Sequence, residues 1–174
     1  VEDAQGLLWL GSTSGLFRFD PKSSEFASFT HDPDDRKSIS NNTINTLHLD
    51  ADGILWIGTP NGLNAFDGKS GSVVRSYFAA DGLPGEAVSC ILADGNGDLW
   101  MSTNNGVSQF HRSTGVFSNF STADGLPGND LTGWNACSRN AQGEMYFGGF
   151  AGATVVRPDA PVAHGFTPPV LITE

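Results

Sequence analysis

Residue types that carry chemistry are sparse in this sequence. Four histidines are present, His31, His48, His111 and His164, and none has a metal-ligand or acid–base partner at a meaningful spacing. Asp94-Gly95-Asn96-Gly97-Asp98 opens like a calcium-binding EF-hand loop. Its twelfth position is Asn105 rather than Glu, and strands rather than helices flank it, so the segment reads as a turn. Asp32-Pro33-Asp34-Asp35 reads as a solvated acidic loop, with weak calcium binding the minor alternative. No GxSxG nucleophile motif occurs, and no Ser/His/Asp set can be defended from chain order. The glycines fall at turns, not in a phosphate-cradling loop before a helix. Trp134, Asn135 and Arg139 stand out. An indole beside an amide and a guanidinium can stack on and hydrogen-bond a sugar or an anionic group. The alternative is that Trp134 plugs a seam in the scaffold. The expectation is a protein with no catalytic residues, no metal and no cofactor, whose ligand-binding candidates are Trp134, Asn135 and Arg139.

The elements that would position such residues are legible in the composition. The chain has 174 residues, 39% hydrophobic and 16% charged, with 22 glycines. That is enough for a sizeable core, and it suits short strands joined by tight turns. No apolar run is long enough to cross a membrane as a helix. The net charge of −10 argues against nucleic acid as a partner and against anionic membrane surfaces, both of which require a cationic footprint.

A repeat organises the whole chain. Trp9, Trp56, Trp100 and Tyr146 lie 47, 44 and 46 residues apart. Three residues before each stands Gly6, Gly53, Gly97 or Gly143, and six before stands Asp3, Asp50, Asp94 or Asn140. Six residues after come Gly15, Gly62, Gly106 and Gly152, and ten after come Phe19, Phe66, Phe110 and Val156. The Asp/Asn-x-x-Gly step is a turn, because the side chain bonds nearby backbone N–H groups and glycine accepts a positive φ. The apolar runs around each aromatic anchor are strands buried on both faces. A second turn is expected at Ser14-Gly15, Asn61-Gly62 and Asn105-Gly106, followed by a strand, a third turn and a further strand. Innermost strands are expected at Thr43–Leu49, Ala87–Ala93 and roughly Gly133–Arg139. Four short antiparallel strands in about 45 residues are a β-propeller blade, and the repeated Trp is expected between blades. The fold class is therefore all-β, with about four blades of four-stranded antiparallel sheets, forming a partial or oligomer-completed propeller. The repeats cover 1–167, with blade units around 1–30, 31–78, 79–120 and 121–160.

The stretch from Asp81-Gly82-Leu83-Pro84 to Asp98-Leu99-Trp100 resembles the two-component regulator propeller repeat, and Ser38 to Thr59 is similar to its longer variant. The copy from Asp124-Gly125-Leu126-Pro127 departs in spacing and ends Met145-Tyr146-Phe147-Gly148-Gly149, like a closing repeat. Residues 168–174 form a linker, or resemble the first strand of an immunoglobulin-like domain that follows such propellers. The resemblance implies the periplasmic or extracytoplasmic sensor region of a bacterial membrane receptor, without catalytic residues. It also implies that the chain is a soluble C-terminal portion of such a sensor, binding a small molecule or oligosaccharide. An independent lectin-like carbohydrate-binding module, completed by oligomerisation, is the alternative. The first copy reads as lacking its inner strand and the last its outer strand, so self-association through open blade edges is expected, head to tail, with an eight-bladed ring as one arrangement. Within the repeat register Cys90 aligns with Ala136 and Cys137 with Ile91, one residue out of phase. Two free, buried cysteines are expected on that ground rather than a disulfide.

Overall fold

The computed structural model describes residues 1–133 and 135–158. Trp134, His164 and the 168–174 tail lie outside the described residues. Strands β1 (Leu8–Ser12), β2 (Gly15–Asp20) and β3 (Glu25–Phe29) form a first antiparallel sheet. The second is four-stranded: β4 (Thr46–Leu49), β5 (Ile54–Thr59), β6 (Gly62–Asp67) and β7 (Ser72–Tyr77). The third repeats it with β8 (Val88–Ala93), β9 (Leu99–Thr103), β10 (Gly106–His111) and β11 (Val116–Phe120). The fourth has three strands, β12 (Cys137–Arg139), β13 (Met145–Gly149) and β14 (Gly152–Val156). In the first sheet the inner-strand place is marked only by a Glu2–Leu8 bridge. These are blades of a partial β-propeller.

One turn joins the innermost position of every blade to its next strand. Asp3, Asp50 and Asp94 each use Oδ1 to accept the backbone N–H two and four residues on, and Oδ2 to accept the indole N–H of Trp9, Trp56 or Trp100 at 2.9, 2.7 and 3.1 Å. The glycines of these turns, Gly6, Gly53, Gly97 and Gly143, have φ between 83° and 86°, which a side chain would strain. The carboxylate thus fixes the turn and the tryptophan's orientation together. In the fourth copy Asn140 keeps the backbone half of this arrangement, while Glu144 supplies the carboxylate and receives the Tyr146 hydroxyl at 2.8 Å.

The oriented tryptophans build the core. Trp9 packs with Leu16, Leu55, Ile57 and Phe66 between the first two blades. Trp56 packs with Leu63, Leu99, Met101 and Phe110 between the second and third. Trp100 packs with Val107, Met145 and Phe147 between the third and fourth. Trp9–Phe66 and Trp56–Phe110 ring centroids lie 5.6 and 5.5 Å apart across the blade junctions. Removing about 150–250 Å² per indole from water contributes at most about 4–6 kcal/mol each.

Three local expectations are revised. The hairpin loops are Thr13-Ser14, Pro60-Asn61 and Asn104-Asn105, and the glycine opens the following strand with positive φ. The last inner strand is only Cys137–Arg139, because the Ala136 N–H bonds the Gly133 carbonyl at 2.9 Å and Asn135 has φ 49°. Most importantly, Cys90 and Cys137 are disulfide-bonded, with Cα atoms 6.1 Å apart. The one-residue phase difference does put the two cysteines on opposite faces of equivalent strands. Blades stack face to face, however, so the forward face of the third blade meets the rear face of the fourth. Opposite phase is therefore what brings neighbouring inner strands into contact.

Candidate functional site

The innermost strands β4, β8 and β12 lie side by side, β8 contacting both of the others. Side chains near the axis stitch them together. Asn45 donates Nδ2–H to the Val88 carbonyl at 3.0 Å. Asn135 reaches back from the fourth blade: its backbone N–H donates to the Ser89 carbonyl at 3.0 Å, and its Oδ1 accepts from Thr46 Oγ1 at 3.1 Å. An open groove of about 330 Å³ runs beside this junction, lined by residues that include Val1, Leu10, Asn45, Thr46 and Asn135.

Of the three ligand candidates, exposed Asn135 lines this groove. Arg139 is exposed at the far end of β12, opposite Met145, and is not among the groove's lining residues. Trp134 lies outside the described residues. The structure therefore brings Asn135 to an axial groove without joining Arg139 to it.

The other chemistry-bearing residues have structural partners. The Asp94 loop commits both carboxylate oxygens to Asn96, Asp98 and Trp100. Asp32 and Asp35 cap their own loop through the N–H groups of Asp34 and Lys37. Among the described residues no cluster of His, Cys, Asp or Glu could hold a metal ion. His31 bonds the Ile39 carbonyl. His48, half-buried on β4, has its imidazole pushed below the ordinary value chiefly by burial; Asp50 raises it and Arg112 lowers it further.

One constellation was hidden in chain order. His111 Nδ1 lies 2.9 Å from Asp98 Oδ2, and its Nε2 lies 3.0 Å from Ser118 Oγ. These are the partners of a nucleophilic serine. Their setting is a cross-strand clamp on the outer hairpin. The same two columns of the fourth blade hold the Glu144–Arg157 ion pair at 2.7 Å. Asp98 also accepts the Arg112 backbone N–H, in the turn where Asp20 and Asp67 of earlier blades cap the N–H groups of Lys22 and Lys69, one column later. The sequence signal was joint: Asp98 replaces Leu7 and Ile54, while His111 replaces Asp20 and Asp67.

Comparison with known proteins bears on this geometry. Residues 38–61 and 82–105 match the family described as two component regulator propeller. The extracellular domain of a protein described as a hybrid two component system from B. thetaiotaomicron is 25% identical, with a TM-score of 0.79, covering 91% of this chain and 21% of its own. A second such domain from the same organism is 21% identical with a TM-score of 0.75, covering 91% of this chain and 22% of its own. Virginiamycin B lyase from Staphylococcus aureus shares the fold at 16% identity and a TM-score of 0.59, covering 92% of this chain and 55% of its own. The chain spans about a fifth of the length of the two extracellular domains. No curated protein matches it.

Proposed function

From a chain built of two component regulator propeller repeats, we infer a non-catalytic, extracytoplasmic sensor or ligand-binding propeller segment of a bacterial signal-transduction receptor. The observation that carries this reading is the likeness to a hybrid two component extracellular domain over 91% of the chain. The Cys90–Cys137 disulfide supports the compartment, since such bonds persist where the surroundings are oxidising. The residue chemistry supports the lack of catalysis: the repeated acids orient tryptophans, and the Asp98–His111–Ser118 contact clamps the outer strands together.

The ligand is a small molecule or oligosaccharide, with Trp134, Asn135 and Arg139 as the residues to test. The purified chain is to be screened by thermal shift against oligosaccharides and small organic anions, with each hit recovered and analysed after incubation. A ligand present at 100 times its Kd raises stability by about 2.7 kcal/mol. Binding with the ligand recovered unchanged is expected; conversion to product overturns the non-catalytic reading. Asn135→Ala is expected to weaken binding while leaving a cooperative melt.

In isolation the chain self-associates head to tail. Leu10 is 46% exposed, although its counterparts Ile57, Met101 and Phe147 are fully buried between blades. Tyr146 is 37% exposed, although Trp9, Trp56 and Trp100 are buried. The two uncovered faces are the two halves of one blade junction, so they are mutually complementary and not self-complementary.

A further inference from the structure

A cleft of about 470 Å³ opens between the first and second blades, beside the turns that begin at Asp3 and Asp50. The repeat explains why it is open. At the next junction the corresponding space holds the Arg112 guanidinium, which lies 5.9 Å from the Trp56 ring and pairs with Asp50 and Asp52 at 2.9 and 2.7 Å. In the second blade that column is Gly68, and the Trp9 ring lies so close that an added Cβ would sit 2.7 Å from Cζ2. No side chain from the second blade fills the cleft from this position.

The lining departs from the repeat at a second place. Arg18, on β2, stands in the column of Ala65 and Gln109, opposite Trp9, with its guanidinium 5.8 Å from that ring. Arg18 and Lys69 both line the cleft, and among the described residues neither side chain has a hydrogen-bond or ion-pair partner. The acids that line the cleft are engaged. Asp3 accepts from Gln5, Leu7 and Trp9, and Asp50 accepts from Asp52, Ile54, Trp56 and Arg112. Asp52 pairs with Arg112. The cleft thus offers spare donors beside the apolar walls of Leu7, Leu49, Leu55 and Trp9.

We propose that this cleft binds an organic carboxylate bearing an apolar body, with Arg18 and Lys69 receiving the carboxylate and Trp9 and the leucines covering the remainder. The assignment rests on the cleft and goes beyond the sensory reading. Charge-assisted hydrogen bonds to two cations supply the anion preference.

The test is a titration of the isotope-labelled chain with phenylacetate, followed by NMR at the Trp9 indole N–H and the Gly68 amide. Saturable shifts at both are expected, with neutral phenylacetamide binding about tenfold more weakly. Arg18→Gln and Lys69→Gln are each expected to weaken phenylacetate binding about tenfold, while Lys22→Gln, outside the cleft, leaves it unchanged. Equal responses to acid and amide overturn the proposal, as does undiminished binding in both cleft variants. Should Arg18→Gln fail to fold, Lys69→Gln carries the test, because Lys69 is exposed on a turn.

Discussion

Asp94 shows why the acids of this chain are not reagents. It is 7% exposed and holds two backbone N–H groups and one indole N–H. Replacing it with Ala leaves the buried Trp100 indole N–H unpaired, worth about 1–3 kcal/mol, while the part-buried N–H groups of Asn96 and Asp98 turn to water. Asp94→Ala should therefore lower stability by about 2–3 kcal/mol in urea titration, and the freed Trp100 should change its fluorescence. Asp3 shows the same balance in its titration. Burial pushes its carboxyl up, but hydrogen bonds from Trp9, Leu7 and Gln5, with Arg18 nearby, hold it below the ordinary value. His48 titrates in a separate window. Its folded-state value is depressed, so its contribution is present above about pH 6.5 and is lost as pH falls through the lower folded-state value. Unfolding midpoints measured between pH 7 and pH 5 should fall, and His48→Gln should flatten that slope.

At the scale of elements, the inner strands differ most from expectation. Apolar runs and turn residues identified the hairpins well, because burial on both faces writes itself into residue type. The position of one blade against the next leaves no such periodic trace. That is why the sequence register placed Cys90 and Cys137 correctly within their strands and still misread their relationship. The groove beside Asn135 was hidden for the same reason, since it joins β1, β4 and Asn135 of the fourth blade. Asp98, His111 and Ser118 also meet only once β9, β10 and β11 pair. The disulfide closes a 47-residue separation, for which the chain-entropy model gives about 4 kcal/mol. Reduction, or the Cys90→Ser/Cys137→Ser pair, should lower the denaturant midpoint accordingly. Thiol titration of the unreduced, denatured chain should find no free thiol.

Among the described residues, three blade junctions are packed, and the faces bearing Leu10 and Tyr146 are exposed at the two ends. The four-copy pattern made this stack legible, because Trp, Gly and Asp columns repeat in phase. Its clefts were not legible, because they arise where single columns deviate, as at Gly68 and Arg18. Head-to-tail pairing through the Leu10 and Tyr146 faces should appear in light scattering as concentration-dependent mass. Leu10→Asp, which charges one uncovered face, should shift that mass toward the monomer. A monomer at all concentrations in the unsubstituted chain would sink the proposal.

The tryptophans described above also make this chain its own set of spectroscopic probes. Trp9, Trp56 and Trp100 each report on a different junction, and each indole is fixed by a single carboxylate. Substituting two of the three with Phe in turn would leave one emitter per junction, against the common background of Trp134. If the stack melts from its ends, the Trp56 signal should be lost last. The order of disappearance would then show how cooperation passes along a row of nearly identical units.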